Sequence, residues 1–459
     1  MPCTQVAQRG PDRLTYDDGS GADKRSANDS SRLVSVQSGS LLLTADAARF
    51  PLEVFEDIID AMNTRTLLAA AQVCAAWYPR AMRNLYYAIE ISGRRSFDIL
   101  FKQRRTSPYV KQWLATTREL RVRDGSTIAV QVGGRNPRFL HALPPALGHA
   151  LFRVQRLAIS GLRGDEHPTF FLGLSQFSSV VSLELSLCSL NHISQLRRII
   201  YTFPLLTTLT LEDIQIAPHD TVSSVGASFR SPSDVHLRHL HITAHRKPEF
   251  IDWIAQSDLC ASIEDLTIWL LVQDESARQS VGALLKSAGS SLTQLQSHIV
   301  HGDLVHNTAL RSLDLYLNSV PLTAKNQGLN TDKLARQLHG VLSTVRSHEL
   351  EHIAIATSIH CNKKDTILAA ILEHLASALE HLDLRALHAA MSQPCFDALK
   401  AVDVKMDMRG LRMDKGGLQR RSKAEVEEFS RTFEAMFRGF LRPWSDRGIV
   451  KRFTWVRMP

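Results

Sequence analysis

Apolar positions along this chain follow two different rhythms, and the change of rhythm divides it. From Phe50 to Trp77 they recur at helical spacing. Val54, Ile58 and Met62 share one face, with Phe55 and Ile59 beside them. Leu67, Ala71 and Cys74 begin a second face, which Leu68, Val73 and Trp77 broaden. Asn63-Thr64-Arg65-Thr66 is a polar break carrying capping residues. Pro51 holds the residue before it extended, and Pro79 is placed to open a third helix. Two or three short helices cannot hide this much apolar surface from water by themselves, so a covering domain or a partner protein is expected.

From about residue 150 a different phrase takes over, apolar-x-x-Leu-x-apolar. It reads Val154/Leu157/Ile159, Val180/Leu183/Leu185, Leu206/Leu209/Leu211, Leu237/Leu240/Ile242 and Ile263/Leu266/Ile268. It returns at Leu310/Leu313/Leu315, Leu350/Ile353/Ile355 and Leu379/Leu382/Leu384, while Leu292/Leu295/Ser297 is a poor copy. The central positions from Leu157 to Leu266 are 26, 26, 31 and 26 residues apart, a period within or just beyond that of leucine-rich repeats. Within each phrase the alternation is that of a strand. Helical segments lie between them at Ile193 to Tyr201, Phe250 to Gln256, Ala277 to Ala288, Asp332 to Val345 and Thr366 to Leu379. The fold class expected is α/β: an N-terminal helical module, then an irregular solenoid with strands on the concave side and helices on the convex side.

The segments divide as a disordered arm over 1–44, a helical module over 45–92 and a connecting region over 93–150. The degenerate repeat solenoid follows over 151–400, and a basic C-terminal cap or tail over 401–459. In the connecting region Gly133 to Pro137 and Pro144-Pro145 read as loop. Glu425 to Arg438 reads as a capping helix.

The helical module resembles an F-box, the element that docks substrate receptors onto the Skp-type adaptor of cullin-RING ubiquitin ligases. The family's pattern is met by Phe50-Pro51, Glu53, Ile58-Ile59, Leu67-Leu68, Val73-Cys74 and Trp77 without a gap, and Tyr78-Pro79-Arg80 through Leu85-Tyr86 is similar to fungal members. Phe50 and Met62 stand where the family usually has Leu, apolar exchanges that a hydrophobic interface tolerates. The resemblance implies adaptor contact through Phe50, Pro51, Val54, Ile58, Ile59, Met62, Leu67, Leu68, Val73 and Trp77. It also implies target binding by the repeats, a cullin reached through the adaptor, and no catalytic residue in this chain. Leucine-rich repeats after the F-box are what one large subclass carries, although the Asn or Cys that normally follows the strand is mostly missing here.

Composition narrows the alternatives. In 459 residues, 44% are hydrophobic and 22% charged, which suits a globular protein of more than one domain. No apolar run approaches a membrane span; Ile268 to Val272 is about the longest. The N-terminus has no apolar core of a secretory signal. The six cysteines, Cys3, Cys74, Cys188, Cys260, Cys361 and Cys395, are scattered without CxxC spacing. They fit reduced thiols of the cytoplasm or nucleus. Fifteen Lys and Arg against eight Asp and Glu in 400–459 make the tail basic. No aromatic-interleaved RNA signature or zinc finger accompanies it, so a solvated basic face is expected rather than a nucleic-acid partner.

His348-Glu349-Leu350-Glu351-His352 is a literal HExxH, which on a helix would bind zinc with Glu349 as general base and Glu373 as a distant third ligand. Yet Leu350, Ile353 and Ile355 stand where the repeat phrase requires a strand. Histidines four apart on a strand are about 13 Å apart, too far to share one ion. His236, His239, His241 and His245 cluster on another strand and are read as a polar sheet face rather than a metal or pH-sensing site. Cys74 is read as a buried core thiol. There is no Gly-rich phosphate loop, GxSxG elbow or paired CxxC, so no cofactor is expected. By alternation, the residues lining the concave face are Glu184, Glu212, His239, His241, Asp265, Trp269, Asp314, Tyr316, Asp383 and Arg385, with exposed Trp269 and Tyr316 as anchors for a protein target.

Overall fold

The structure, a computed structural model, describes residues 51–124, 138–217, 235–245, 249–271, 274–297, 303–322, 331–361, 383–407 and 423–456. The arm over 1–44, Phe50, the Gly133 to Pro137 segment, the expected helix at Thr366 to Leu379, and Glu373 lie outside the described residues.

Three helices open the described chain: α1 (Leu52–Ala61), α2 (Thr64–Val73) and α3 (Tyr78–Leu85). Asn63 caps α2 by accepting the Thr66 N–H at 3.1 Å. Pro79 sits in the first turn of α3, where its missing N–H costs nothing. Ile59, Leu67, Ala70, Ala81 and Leu85 close a small core of their own, separate from the main one. Tyr86 packs against both cores and joins them.

A twelve-stranded, all-parallel sheet follows. Its strands are β1 (Ala88–Ser92), β2 (Glu119–Arg123), β3 (Arg156–Ser160), β4 (Ser182–Ser186), β6 (Thr208–Glu212) and β8 (His239–Ala244). β9 (Asp265–Leu270), β10 (Gln294–Ser297), β11 (Ser312–Leu322), β12 (His352–Cys361), β13 (Ala401–Asp407) and β14 (Val450–Val456) complete it. A two-stranded ribbon, β5 (Ser189–Leu190) with β7 (Gln215–Ile216), flanks one end.

The register explains the repeat phrase. Leu157, Leu183, Leu209, Leu240 and Leu266 stand opposite one another on successive strands. The ladder continues through Leu295, Leu313, Ile353 and Val402, and backwards through Leu120 to Ile89. All are buried, and each leucine removed from water contributes about 2 kcal/mol. A one-residue slip would turn every one of them to solvent, so the apolar ladder fixes the register. The backbone repeats as faithfully. The carbonyl of Arg118 accepts the N–H groups of Gln155 and Arg156, that of Val181 those of Thr207 and Thr208, and that of Arg311 those of Glu351 and His352.

Four expectations need correction. The sheet is not confined to 151–400: β1 and β2 precede that segment and β13 and β14 follow it. Leu292/Leu295/Ser297 is a full member of the ladder, with buried Ser297 opposite Ile268 and Leu315. Leu384 caps the helix Arg385–Met391 instead of ending a strand, and the strand beside β12 is Ala401–Asp407. Pro144 and Pro145 lie inside a short helix, Leu143–Leu147, at positions where proline needs no donor. The C-terminal segment packs onto the solenoid. Phe433, Phe437, Phe440, Leu441 and Trp444 are buried in the main core, and the helix Lys423–Phe440 covers that end of the solenoid.

Among the described residues no helix is long and apolar enough to cross a membrane.

Candidate functional site

Two surfaces are candidates: the outside of the helical module and the open face of the sheet.

On the module, Ile59 (1% exposed) and Leu67 (5%) fill its core, so they hold the helices together and cannot contact a partner. Met62 and Trp77 pack half-buried against that core, and Trp77 meets Phe55 at 5.9 Å between ring centroids. Val54 (39%), Ile58 (46%), Leu68 (49%) and Val73 (64%) stand in water, and Pro51 is exposed at the entrance to α1. Of the ten expected adaptor contacts, Phe50 lies outside the described residues and two are internal. Periodicity alone could not separate the two groups, because Ile58 and Ile59, or Leu67 and Leu68, are neighbours in one apolar run. Cys74 corrects another expectation: it is exposed at the end of α2. The module is clasped by Arg80 of α3, whose guanidinium donates to both carboxylate oxygens of Asp60 on α1. The Asn84 amide adds a bond of 2.8 Å to the same group. Arg80 first and Asn84 second hold the Asp60 carboxyl down at about 2.

On the sheet, alternation sends one set of side chains to the helix-covered side and the other to the open side. Strands lie about 4.8 Å apart whereas helices need about 10 Å, so the strand side becomes the inner side of the solenoid. Its middle row runs Glu90, Arg121, Ala158, Glu184, Thr210, His241, Thr267, Gln296, Asp314, Ala354, Asp403 and Arg452. Small Ala158 leaves a depression of about 60 Å³ between Arg121, Arg156, Glu119 and Glu184.

Eight of the ten expected target contacts lie on this face, at the register positions that alternation assigns. Asp383 and Arg385 do not: Asp383 lies just ahead of the helix Arg385–Met391, accepts the Arg385 N–H and pairs with the Arg385 guanidinium at 3.1 Å. Tyr316 also departs from expectation, since it is 6% exposed, tucked beside Trp269 with ring centroids 5.2 Å apart.

Burial pushes the Glu184 carboxyl above its ordinary range, and the charge of Glu212 pushes the same way. Burial likewise raises Asp314, against the pull of Lys405 and His352. Burial lowers His241, against the pull of Asp265 and Glu184. His239 reaches Asp265 at 3.5 Å, and His241 shares a hydrogen bond of 3.0 Å with Thr243.

The HExxH segment is not a helix. His348 and Glu349 form a turn ahead of β12, and Glu349 pairs with Arg311 at 3.0 Å. His352 stands on the strand between two carboxylates, with Nε2 3.1 Å from Asp403 and Nδ1 3.8 Å from Asp314. Among the described residues no group of three or more His, Cys, Asp or Glu side chains is placed to hold a metal ion.

No family model matches this sequence, and no curated protein matches it. Among solved structures, a leucine-rich-repeat protein of Leptospira interrogans is similar at 12% identity and a TM-score of 0.27, over 83% of this chain and 97% of that one. The repeat reading rests on the geometry of this chain itself: a long parallel sheet, one leucine ladder and helices on one side.

Proposed function

We propose that this chain is the target-binding subunit of a Skp–cullin–F-box ubiquitin ligase in the cytoplasm or nucleus. One observation carries the proposal. Val54, Ile58, Leu68 and Val73 remain in water on helices whose core is already closed by Ile59, Leu67, Ala70, Ala81 and Leu85. Apolar side chains with no internal task, on a segment that resembles the F-box pattern, fit a protein groove. The coarser half of the reading is a repeat scaffold that binds protein on its open sheet face.

The mechanism is positional. Adaptor and cullin hold the module, the open face holds a target, and a ubiquitin-loaded conjugating enzyme finds the target's lysines at raised effective concentration. This chain supplies the geometry and no catalytic group.

The test is capture of a purified Skp-type adaptor. The native chain should retain it, and Ile58→Asp combined with Leu68→Asp should abolish retention while the thermal unfolding of the solenoid is unchanged. Because both residues are exposed, the charges meet water in the free protein and the apolar groove only in the complex. Undiminished capture by the double variant would sink the proposal.

A further inference from the structure

From residue 80 onward the charge of the chain is arranged in three blocks. Residues 80–163 hold sixteen Lys and Arg against four Asp and Glu, and 400–459 hold fifteen against eight. Between them, 164–399 holds sixteen against twenty-four. The open sheet face follows this division sharply. From β4 to β11 its strands contain no Lys or Arg at all, while Glu184, Glu212, Asp265 and Asp314 all project from that face. Arg121, Arg123 and Arg156 begin only on β2 and β3, and Lys405 and Arg452 only on β13 and β14.

These carboxylates outnumber the cationic or titratable partners beside them, with His239 3.5 Å from Asp265 and His352 3.8 Å from Asp314. Arg156 of β3 is drawn to Glu119 on β2 at 2.9 Å and Arg123 of β2 to Glu90 on β1 at 3.8 Å, which turns these two arginines away from the block. Within the block, Glu184 and Glu212 repel one another, as do Asp265 and Asp314. Asp314 Oδ1 is shut off from water without a hydrogen-bond donor. Lys405 reaches Asp314 from the edge at 3.9 Å. Half-buried like charges with few cations beside them are costly in a free protein and favourable once a further cation arrives. Trp269 lies partly exposed along the same block.

We propose that the β4–β11 stretch of the open face is the docking surface for a Lys- and Arg-rich segment of a target protein. The segment lies across the strands with its cations over Glu184, Glu212, Asp265 and Asp314. An uncharged or acidic segment leaves these groups unpaired, and an acidic one is repelled. The flanking Arg121 and Lys405 limit how far a basic segment extends. This inference rests on the target-binding half of the proposed function and is independent of the adaptor.

The test uses the full chain and a fluorescently labelled ten-residue peptide of alternating Lys, Arg and Gly, with Glu-for-Lys/Arg and Gln-for-Lys/Arg peptides as controls. The basic peptide should bind at least tenfold more tightly than either control, and its affinity should fall as salt rises. Glu184→Gln, Asp265→Asn and Asp314→Asn together should weaken it tenfold or more. A matched variant of exposed acids elsewhere, Asp258→Asn with Glu275→Gln and Asp446→Asn, should leave it unchanged. Equal binding of all three peptides overturns the proposal, as does equal loss in both triple variants, which would mark the attraction as general. Adaptor capture separates the two readings. The face variant should keep the adaptor and lose the peptide, and Ile58→Asp with Leu68→Asp should do the reverse.

Discussion

His352 Nε2 lies 3.1 Å from Asp403 Oδ2 on the neighbouring strand, with Asp314 on the other side of the ring. That arrangement turns the second histidine of an HExxH into a cross-strand link. His348, in the turn before the strand, is exposed, and among the described residues it belongs to no group of three or more metal-ligating side chains. Purified protein should therefore carry less than a tenth of an equivalent of zinc by elemental analysis. His348→Ala should leave both that value and the melting temperature unchanged. His352→Ala should lower stability by about 1 kcal/mol through loss of the strand-to-strand contact.

Leu187 has φ 53°, left-handed backbone that a leucine adopts only at a cost. It follows β4 as Gly161 (φ 81°) follows β3 and Asp213 (φ 50°) follows β6. All three donate their N–H to a carbonyl of the next strand: Gly161 to Ser186, Leu187 to Glu212 and Asp213 to Thr243. The side chain of Leu187 is exposed, so little packing offsets the strain. Leu187→Gly should raise stability by about 1 kcal/mol in urea unfolding. Gly161→Ala should lower it, because a Cβ there would run into the Asp124 carbonyl.

Cysteine reactivity should separate by burial. Burial pushes the thiols of Cys188 and Cys260 up to about 12, so both stay protonated at pH 8. Cys74 is exposed. Maleimide labelling of the native protein, followed by peptide mass spectrometry, should modify Cys74 within minutes and leave Cys188 and Cys260 unmodified until denaturant is added.

The Asp60–Arg80 clasp sets a pH dependence local to the helical module. The folded carboxyl titrates at about 2, below its value of about 3.9 in an unfolded chain. Its contribution is thus complete above pH 5 and disappears as pH falls through 2. Both side chains are partly in water, which limits the gain to under about 1 kcal/mol. Asp60→Asn should speed amide exchange in residues 52–85 at pH 5, and the difference from the native chain should vanish near pH 2.

The amino-acid sequence by itself determined the alternation of strands and helices, because the 2.0 and 3.6 residue periods are local properties of the chain. Leu157 to Leu266 mark their strands, and Ile193–Tyr201 its helix, without reference to anything distant. It also determined which side of each strand faces the helices, and hence eight of ten residues on the open face. Only the tertiary structure decided which unit is a true repeat. Leu295 qualifies because Leu266 and Leu313 stand on either side of it, and Leu384 does not because a helix begins there. β1 and β2 joined the sheet by the same rule of partnership across space. Adjacent apolar residues in one helical run, such as Ile58 and Ile59, were likewise divided into core and surface only by the packing of α1 against α3. Periodicity states that a face is apolar; which part of it meets the protein and which meets water depends on neighbours far away in the chain.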